Sequence, residues 1–290
     1  MTRILLTGKT GQVGYELERS LQGLGEIIAL DRSQMDLANL DQVRDVIRQI
    51  KPNLIINPAA YTAVDKAESE PDLAMRINGE APGVMAEEAK KLGAAMIHYS
   101  TDYVFDGTKT TPYLETDPTC PINVYGVTKL AGEQAIQAAG IPHLILRTSW
   151  VYGMRGNNFL CTILRLAQER EELRIVADQH GAPTWCRTIA DTTAHIVALA
   201  KGAQDAQEWW QERSGIYHLT AQGQTTWFEF TQAILENAAI AKKSVLIPIT
   251  TQEYPLPAKR PTYSILSCER LMNTFCGLPE WENALRLCQN

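Results

Sequence analysis

The run Arg3-Ile4-Leu5-Leu6 leads directly into Thr7-Gly8-Lys9-Thr10-Gly11-Gln12-Val13-Gly14, and this junction restricts the possible folds of the chain more than any other feature. A short apolar run, three glycines, and then Val13, Leu17, Leu21 and Leu24 at helical spacing read as strand, tight turn and helix. Glycine is required because the backbone must turn sharply, approach a pyrophosphate with no Cβ between, and let helix pack on strand. The helix amino end then offers unpaired N–H groups and positive dipole to phosphates. A second apolar run ends at Asp31, where a carboxylate can grip the ribose diol of a dinucleotide. Arg32, its neighbour, leaves the nicotinamide open, because a carboxylate favours the free 2′-hydroxyl of NADH whereas a guanidinium suits the 2′-phosphate of NADPH.

The same rhythm continues through the first half. Apolar runs at Arg3–Thr7, Glu26–Asp31, Leu54–Asn57, Ala95–Ser100 and His143–Thr148 alternate with amphipathic stretches. Strands so continuously apolar are buried on both faces, which predicts a parallel sheet with helices on either side. Asn39 and Gln42 form a capping pair opening a helix from Leu40 to Ile50, and a longer helix is expected over Gly79–Leu92. The fold class is therefore α/β, a Rossmann-type doubly wound parallel sheet with its ligand crevice at the strands' carboxyl ends. Residues 1–152 are expected to form the dinucleotide-binding domain, catalytic helix included. Residues 153–290 read mainly as a smaller substrate-binding lobe closing over the sheet, with some segments free to return to it. There, short runs such as Arg174–Ala177 and Ile216–Leu219 lie among helices near Ile189–Ala200 and Trp227–Asn237, and prolines cluster from Pro248 to Pro261.

A net charge of −6 argues against a general nucleic-acid binder, which needs basic surface to neutralise phosphates. The apolar stretch after Met1 is too short for a signal peptide and no later one reaches bilayer-spanning length, so a cytoplasmic protein without a membrane partner is expected. Cys120, Cys161, Cys186, Cys268, Cys276 and Cys288 are scattered without close pairs, and we read them as reduced thiols with no metal or redox role.

The sharpest chemical signal is Tyr125-Gly126-Val127-Thr128-Lys129, opening a helix that continues through Ala139. Residues four apart share a helix face, so phenol and ammonium point into one space. A free phenol, with a pKa of about 10, releases its proton poorly at neutral pH, and a fixed lysine charge nearby is expected to lower that value. Ser100-Thr101-Asp102-Tyr103-Val104-Phe105-Asp106-Gly107 ends the preceding strand and brings hydroxyls to the same edge, where Thr101 can hydrogen-bond a substrate carbonyl beside Tyr125. The small residues of Asn57-Pro58-Ala59-Ala60-Tyr61 follow the third strand and let the chain lie against a nucleotide, or serve simply as a loop. Trp150, just past the fifth strand, suits either stacking on a sugar or base, or packing.

Taken together, Gly8/Gly11/Gly14, Asn57–Tyr61, Ser100–Gly107 and Tyr125–Lys129 resemble the extended short-chain dehydrogenases that act on nucleotide sugars. More narrowly, Gly8–Gly14, Ala59-Ala60-Tyr61-Thr62-Ala63-Val64-Asp65, Ser100–Gly107 and Arg260-Pro261 are similar to the dTDP-4-dehydrorhamnose reductase family, over almost the whole chain. The resemblance implies reduction of the C4 ketone of dTDP-4-dehydro-L-rhamnose by NADPH or NADH. It assigns cofactor binding to Gly8, Gly11, Gln12, Val13, Asp31, Ala59, Ala60, Tyr61 and Lys129, with Arg32 added for a 2′-phosphate. It makes Tyr125 the proton donor, steadied by Lys129 and Thr101. Val64, Asp65, Asp102, Tyr103 and Trp150 line the sugar pocket, and Arg260 meets the diphosphate.

A monomer or homodimer is implied. Bacterial members can bridge subunits through magnesium, and Glu16 matches one acidic position, but Arg187 stands where a second acid is expected and its charge repels the ion, so no metal ligands are assigned. Two rival readings use the same motifs: an epimerase or dehydratase of the superfamily that returns the hydride to its substrate, and a non-enzymatic dinucleotide-binding subunit like the regulatory subunit of eukaryotic methionine adenosyltransferase. Tyr125, Lys129 and Thr101 together favour an enzyme, and Ser100-Thr101-Asp102-Tyr103 favours the reductase.

Overall fold

The central sheet carries strands β1 (Arg3–Leu6), β2 (Glu26–Ala29), β3 (Leu54–Asn57), β4 (Ala95–Thr101), β5 (His143–Thr148) and β6 (Gly215–His218), in a computed structural model that describes residues 2–238 and 244–290. The strands lie in the order β2-β1-β3-β4-β5-β6 and every pairing is parallel. The order reverses between β1 and β3, so the crevice opens above their carboxyl ends, where a doubly wound sheet takes its ligand.

The helices that matter here are α1 (Gln12–Ser20), α2 (Leu40–Ile50), α3 (Ala81–Leu92), α4 (Val124–Ala139), α5 (Phe159–Glu169), α6 (Cys186–Gly202) and α7 (Trp227–Asn237). Side chains alternate along each strand and so feed two separate cores. Ile4, Leu6, Ile56 and Ile97 pack with Leu17 of α1 and Ile189 and Ile196 of α6. Leu5, Ile55, Met96 and Ile145 pack with Val43 and Ile47 of α2, Met85 of α3 and Ile136 of α4. A third cluster, with Tyr152, Leu160, Phe230, Ile234 and Trp281, belongs to the chain's second half.

All five expected strands form. The second stops at Ala29, leaving Asp31 in the turn beyond it, and the fourth extends by one residue to take in Thr101. Asn39 caps α2 by accepting from Gln42 N at 3.1 Å, but the Gln42 side chain accepts from Asp36 N instead of returning to the cap. The helix expected from Gly79 begins at Ala81, behind a π-helical turn over Arg76–Glu80. Two segments of the second half lie on the sheet: β6 pairs with β5, and α6 packs on α1. Among the described residues no helix is long and apolar enough to cross a membrane.

Candidate active site

The glycine turn is shaped as its sequence requires. Gly8 has φ +60°, in the left-handed region that glycine enters at little cost, and a Cβ there would lie 3.0 Å from that of Ala59. The Asn57–Tyr61 loop therefore lies directly against the turn. A Cβ on Gly14 would sit 2.1 Å from the Gly8 carbonyl oxygen, so α1 can approach the turn only with glycine at that position. No side chain caps α1, and the N–H groups of its first turn, Gln12 and Val13 included, stay available to an anion. The Gln12 carbonyl side chain accepts from Asn158 Nδ2 at 2.9 Å, tying the turn to the cap of α5.

Asp31 accepts from Ser33 N and from the Ser33 hydroxyl, and that hydroxyl, with Lys9 Nζ at 3.5 Å, holds the carboxyl below its usual range. Arg32 is exposed and pairs with Asp36 at 3.5 Å. Acid and base thus stand side by side at the crevice rim, with Lys9 as a further cation. Tyr61 is fixed by Asn78 of the π-helical turn, which accepts from Tyr61 N at 2.8 Å and donates to Tyr61 O at 3.0 Å, and the Tyr61 phenol donates to Glu70. Ala60 lies between these two anchored neighbours.

At the carboxyl ends of β4 and β5 the predicted catalytic and substrate residues form one contiguous group. Asn123 caps α4 by accepting from Gly126 N, which sets Tyr125 in the first turn. The Tyr125 side chain is half-buried beside Thr101, and its ring meets that of Tyr103 edge-on at 5.6 Å. Arg260 lies beside Tyr103 and grips Asp65 with two nitrogens, at 2.7 and 3.0 Å. Val64 and Asp65 open a short helix, and Ala258 N also donates to Asp65. Asn123 donates to Lys259 O, and Gly107, at φ +80°, has Pro261 where its Cβ would be, so the Arg260-Pro261 segment is clamped to both the β4 loop and α4. A cavity of about 700 Å³ opens beside Arg260, walled by Asp106, Lys109, Asp178 and His180.

The electrostatics depart from expectation at one point. Burial pushes the Tyr125 phenol up to about 12, and the neighbouring Thr101 hydroxyl offsets this only in part. Lys129 was expected to pull it down. Its nitrogen is turned instead towards the sheet, donating to Tyr99 O at 2.6 Å and meeting His98 Nε2 at 3.1 Å, and burial lowers the lysine itself to about 8. Asp102 is buried, one oxygen accepting from Thr101 and the other without a partner, and burial raises it to about 6. Ser100 Oγ and Thr148 Oγ1 are likewise buried and unpartnered. All three lie at the carboxyl ends of β4 and β5, where buried polar atoms without partners call for an explanation.

Trp150 stands apart from this group. Held at φ +46°, it stacks on Trp227 with ring centres 3.5 Å apart, and its ring occupies the space a Gly181 Cβ would need. Arg187 pairs with Asp191 at 3.6 Å. Sequence reasoning missed Trp227, Asn78 and His98. The first two act on residues far away in the chain and carry no local signal, whereas a histidine inside an apolar strand run is a visible anomaly.

A dinucleotide turn at the switch point of a parallel sheet, with a tyrosine and a buried lysine one helical turn apart and the tyrosine beside a strand-end threonine, defines an oxidoreductase of the short-chain dehydrogenase type. The chain belongs to the family described as RmlD substrate binding domain, whose model matches residues 1–290. It is 50% identical to a dTDP-4-dehydrorhamnose reductase of Burkholderia thailandensis, covering 99% of this chain and 97% of the relative, and 47% identical to one of Escherichia coli with the same coverage. Among solved structures it is similar to a Bacillus anthracis dTDP-4-dehydrorhamnose reductase in complex with NADP, at 37% identity, TM-score 0.90 and 99% of both chains. A Thermus thermophilus UDP-glucose 4-epimerase complex with NAD shares the fold, at 20% identity and TM-score 0.80.

Proposed function

We propose that this protein reduces the C4 keto group of dTDP-4-dehydro-L-rhamnose to dTDP-L-rhamnose, using NADPH. The bound dinucleotide supplies the hydride. Gly8, Gly11, Gln12 and Val13 hold its pyrophosphate, Ala59, Ala60 and Tyr61 flank it, and Asp31, Arg32 and Lys9 meet the adenosine ribose, the two cations suiting a 2′-phosphate. Residues 1–152 carry these groups, while residues 153–290 mainly shape the substrate side.

The observation that carries the reading is that Tyr125, in the first turn of α4, stands beside Thr101 at the end of β4, with Lys129 one turn further along the helix. At about 12, the phenol is protonated at neutral pH and so stands ready as an acid. As charge develops on the substrate oxygen, the Thr101 hydroxyl turns from Asp102 to donate to it and Tyr125 gives up its proton. Lys129, one turn along α4, steadies the phenolate left behind by its charge and not by contact, its nitrogen being held at Tyr99 O and His98. Val64, Asp65, Asp102 and Tyr103 shape the sugar pocket, Arg260, preset by Asp65, faces the diphosphate, and Trp150, stacked on Trp227 apart from them, serves packing. All of these side chains come from one chain, so the site is complete in a monomer and compatible with a homodimer. A cytoplasmic location accords with this reading.

The direct test is loss of nicotinamide absorbance on mixing protein, NADPH and dTDP-4-dehydro-L-rhamnose. Tyr125→Phe is expected to bind NADPH normally while kcat falls by about 10²–10⁴. Full turnover in that variant would move the proton donor elsewhere. Tightly retained NAD with no net oxidation would instead mark an epimerase or dehydratase.

A further inference from the structure

The face of the sheet covered by α3 and α4 changes from apolar to polar at one level. Leu5, Ile55 and Met96 belong to the apolar cluster, but two residues further along, Thr7, Asn57 and His98 stand side by side, Asn57 in register with His98. They are 2%, 0% and 1% exposed. Their side chains form an unbroken line. Thr7 Oγ1 donates to Asn57 Oδ1 at 2.6 Å, Asn57 Nδ2 donates to His98 Nδ1 at 3.0 Å, and His98 Nε2 lies 3.1 Å from Lys129 Nζ. At the far end Thr7 Oγ1 accepts from Ala59 N, which lies against Gly8. The line therefore runs from the dinucleotide turn to the lysine.

Apolar residues would fill this level without desolvation cost, and polar ones persist only when bonded. Every side-chain atom of the line has a partner or is accounted for, since none of the four residues has a buried polar atom left over. We propose that His98, backed by Asn57 and Thr7, is a positioning residue that fixes the Lys129 nitrogen and ties its proton count to the direction of this hydrogen-bond line. The inference rests on the role given to Lys129 above.

The bonding rules set the coupling. Because Thr7 donates to Asn57, the Asn57 amide faces Nδ1, and a neutral imidazole must carry its hydrogen on Nε2. Burial keeps His98 neutral. Lys129 then meets Nε2–H with its lone pair, as an amine. As an ammonium it has no lone pair, so the ring must carry its hydrogen on Nδ1 and Asn57 must turn its carbonyl to the ring. The added proton on Nζ comes from solvent, and the imidazole loses one N–H as it gains the other, so its charge does not change. With the lysine at about 8, both directions are populated near neutral pH.

The charged and titratable groups around this pair are Tyr125 and Glu133 of α4, Arg147 of β5 bound to Glu133, and Asp102 beyond β4. On α3, Glu88 is held by Arg48 and Lys91, and in the π-helical turn Arg76 pairs with Glu80.

Side-chain nitrogen shifts of His98, in isotope-labelled protein saturated with NADP, test the coupling directly. Between about pH 7 and about pH 9 the ring is expected to pass from the Nδ1–H to the Nε2–H tautomer without becoming doubly protonated. A single tautomer throughout overturns the proposal, whether or not the sugar nucleotide is a substrate. Kinetically, His98→Leu is expected to lower kcat about tenfold and displace the basic limb of its pH profile, with the sugar-nucleotide KM within about threefold. His98→Gln, whose amide reaches the place of Nε2, is expected to restore most of both. An unmoved limb, or an equal loss in His98→Gln, overturns the positioning role. No turnover by the unaltered protein would sink the functional reading alone, and the nitrogen shifts would still decide this one.

Discussion

Replacing Gly14 by alanine puts a methyl group 2.1 Å from the Gly8 carbonyl oxygen, 2.7 Å from its carbon and 3.1 Å from Lys9 Cα. All three are backbone atoms, so no rotamer change relieves the contact, and ordinary contact distances return only if α1 withdraws from the turn by about 1 Å. Overpacking of this kind costs about 1–3 kcal/mol, and in a chain of this size Tm falls by about 2–10 °C. The larger effect is on the ligand, because the same shift moves the N–H groups of Gln12 and Val13 off the pyrophosphate, and a displacement of about 1 Å can cost about a hundredfold. The Kd for NADPH, from quenching of protein fluorescence, should therefore rise by that order in Gly14→Ala. Gly11→Ala is the internal control, since its Cβ would lie 3.3 Å from the same oxygen, a contact the turn can absorb with a small adjustment. If Gly14→Ala binds NADPH within about threefold of the unaltered protein, the turn is not the phosphate cradle and the argument fails at its first step.

Arg260→Ala should raise the KM for the sugar nucleotide by about tenfold or more while NADPH affinity holds, because it deletes the paired guanidinium and leaves Asp65 bare in the pocket; an unchanged KM would remove Arg260 from the substrate site. Asp102 offers a pH test. Its folded carboxyl sits at about 6 against 3.8 unfolded, so the fold favours the neutral form, and stability is lost as pH rises from about 4 to 6. Asp102→Asn should accordingly raise Tm at pH 8 and leave it unchanged at pH 4, while lowering turnover; equal Tm shifts at both values would contradict the assigned burial cause. In the buried Arg147–Glu133 pair, at 2.6 Å, Glu133→Gln should cost about 3–5 kcal/mol in urea unfolding, since it strands a guanidinium whose Nη1 already lacks a partner, and a loss under about 1 kcal/mol would argue that water reaches the pair.

Local sequence determined a great deal here. The Gly8–Gly14 turn, five of the six sheet strands, the cap at Asn39 and the tyrosine and lysine on one face of α4 were all legible, because each depends on periodicity or on backbone freedom within a few residues. The tertiary structure alone decided the rest. Gly215–His218 has no feature marking it as the partner of β5, for pairing is a property of two distant segments and is written in neither. The Asp65–Arg260 grip joins residues 195 apart in the chain, and Trp150 meets Trp227 only because the second half folds back over the strand ends. Even the phenol at the centre reads differently in place: spacing predicts a lysine charge that acidifies it, while desolvation by the packed sheet and helix raises it, and the lysine nitrogen meets His98 instead. Short-range order follows from the covalent neighbourhood, but burial, and with it the strength of every charge in the site, exists only once distant surfaces have closed on each other.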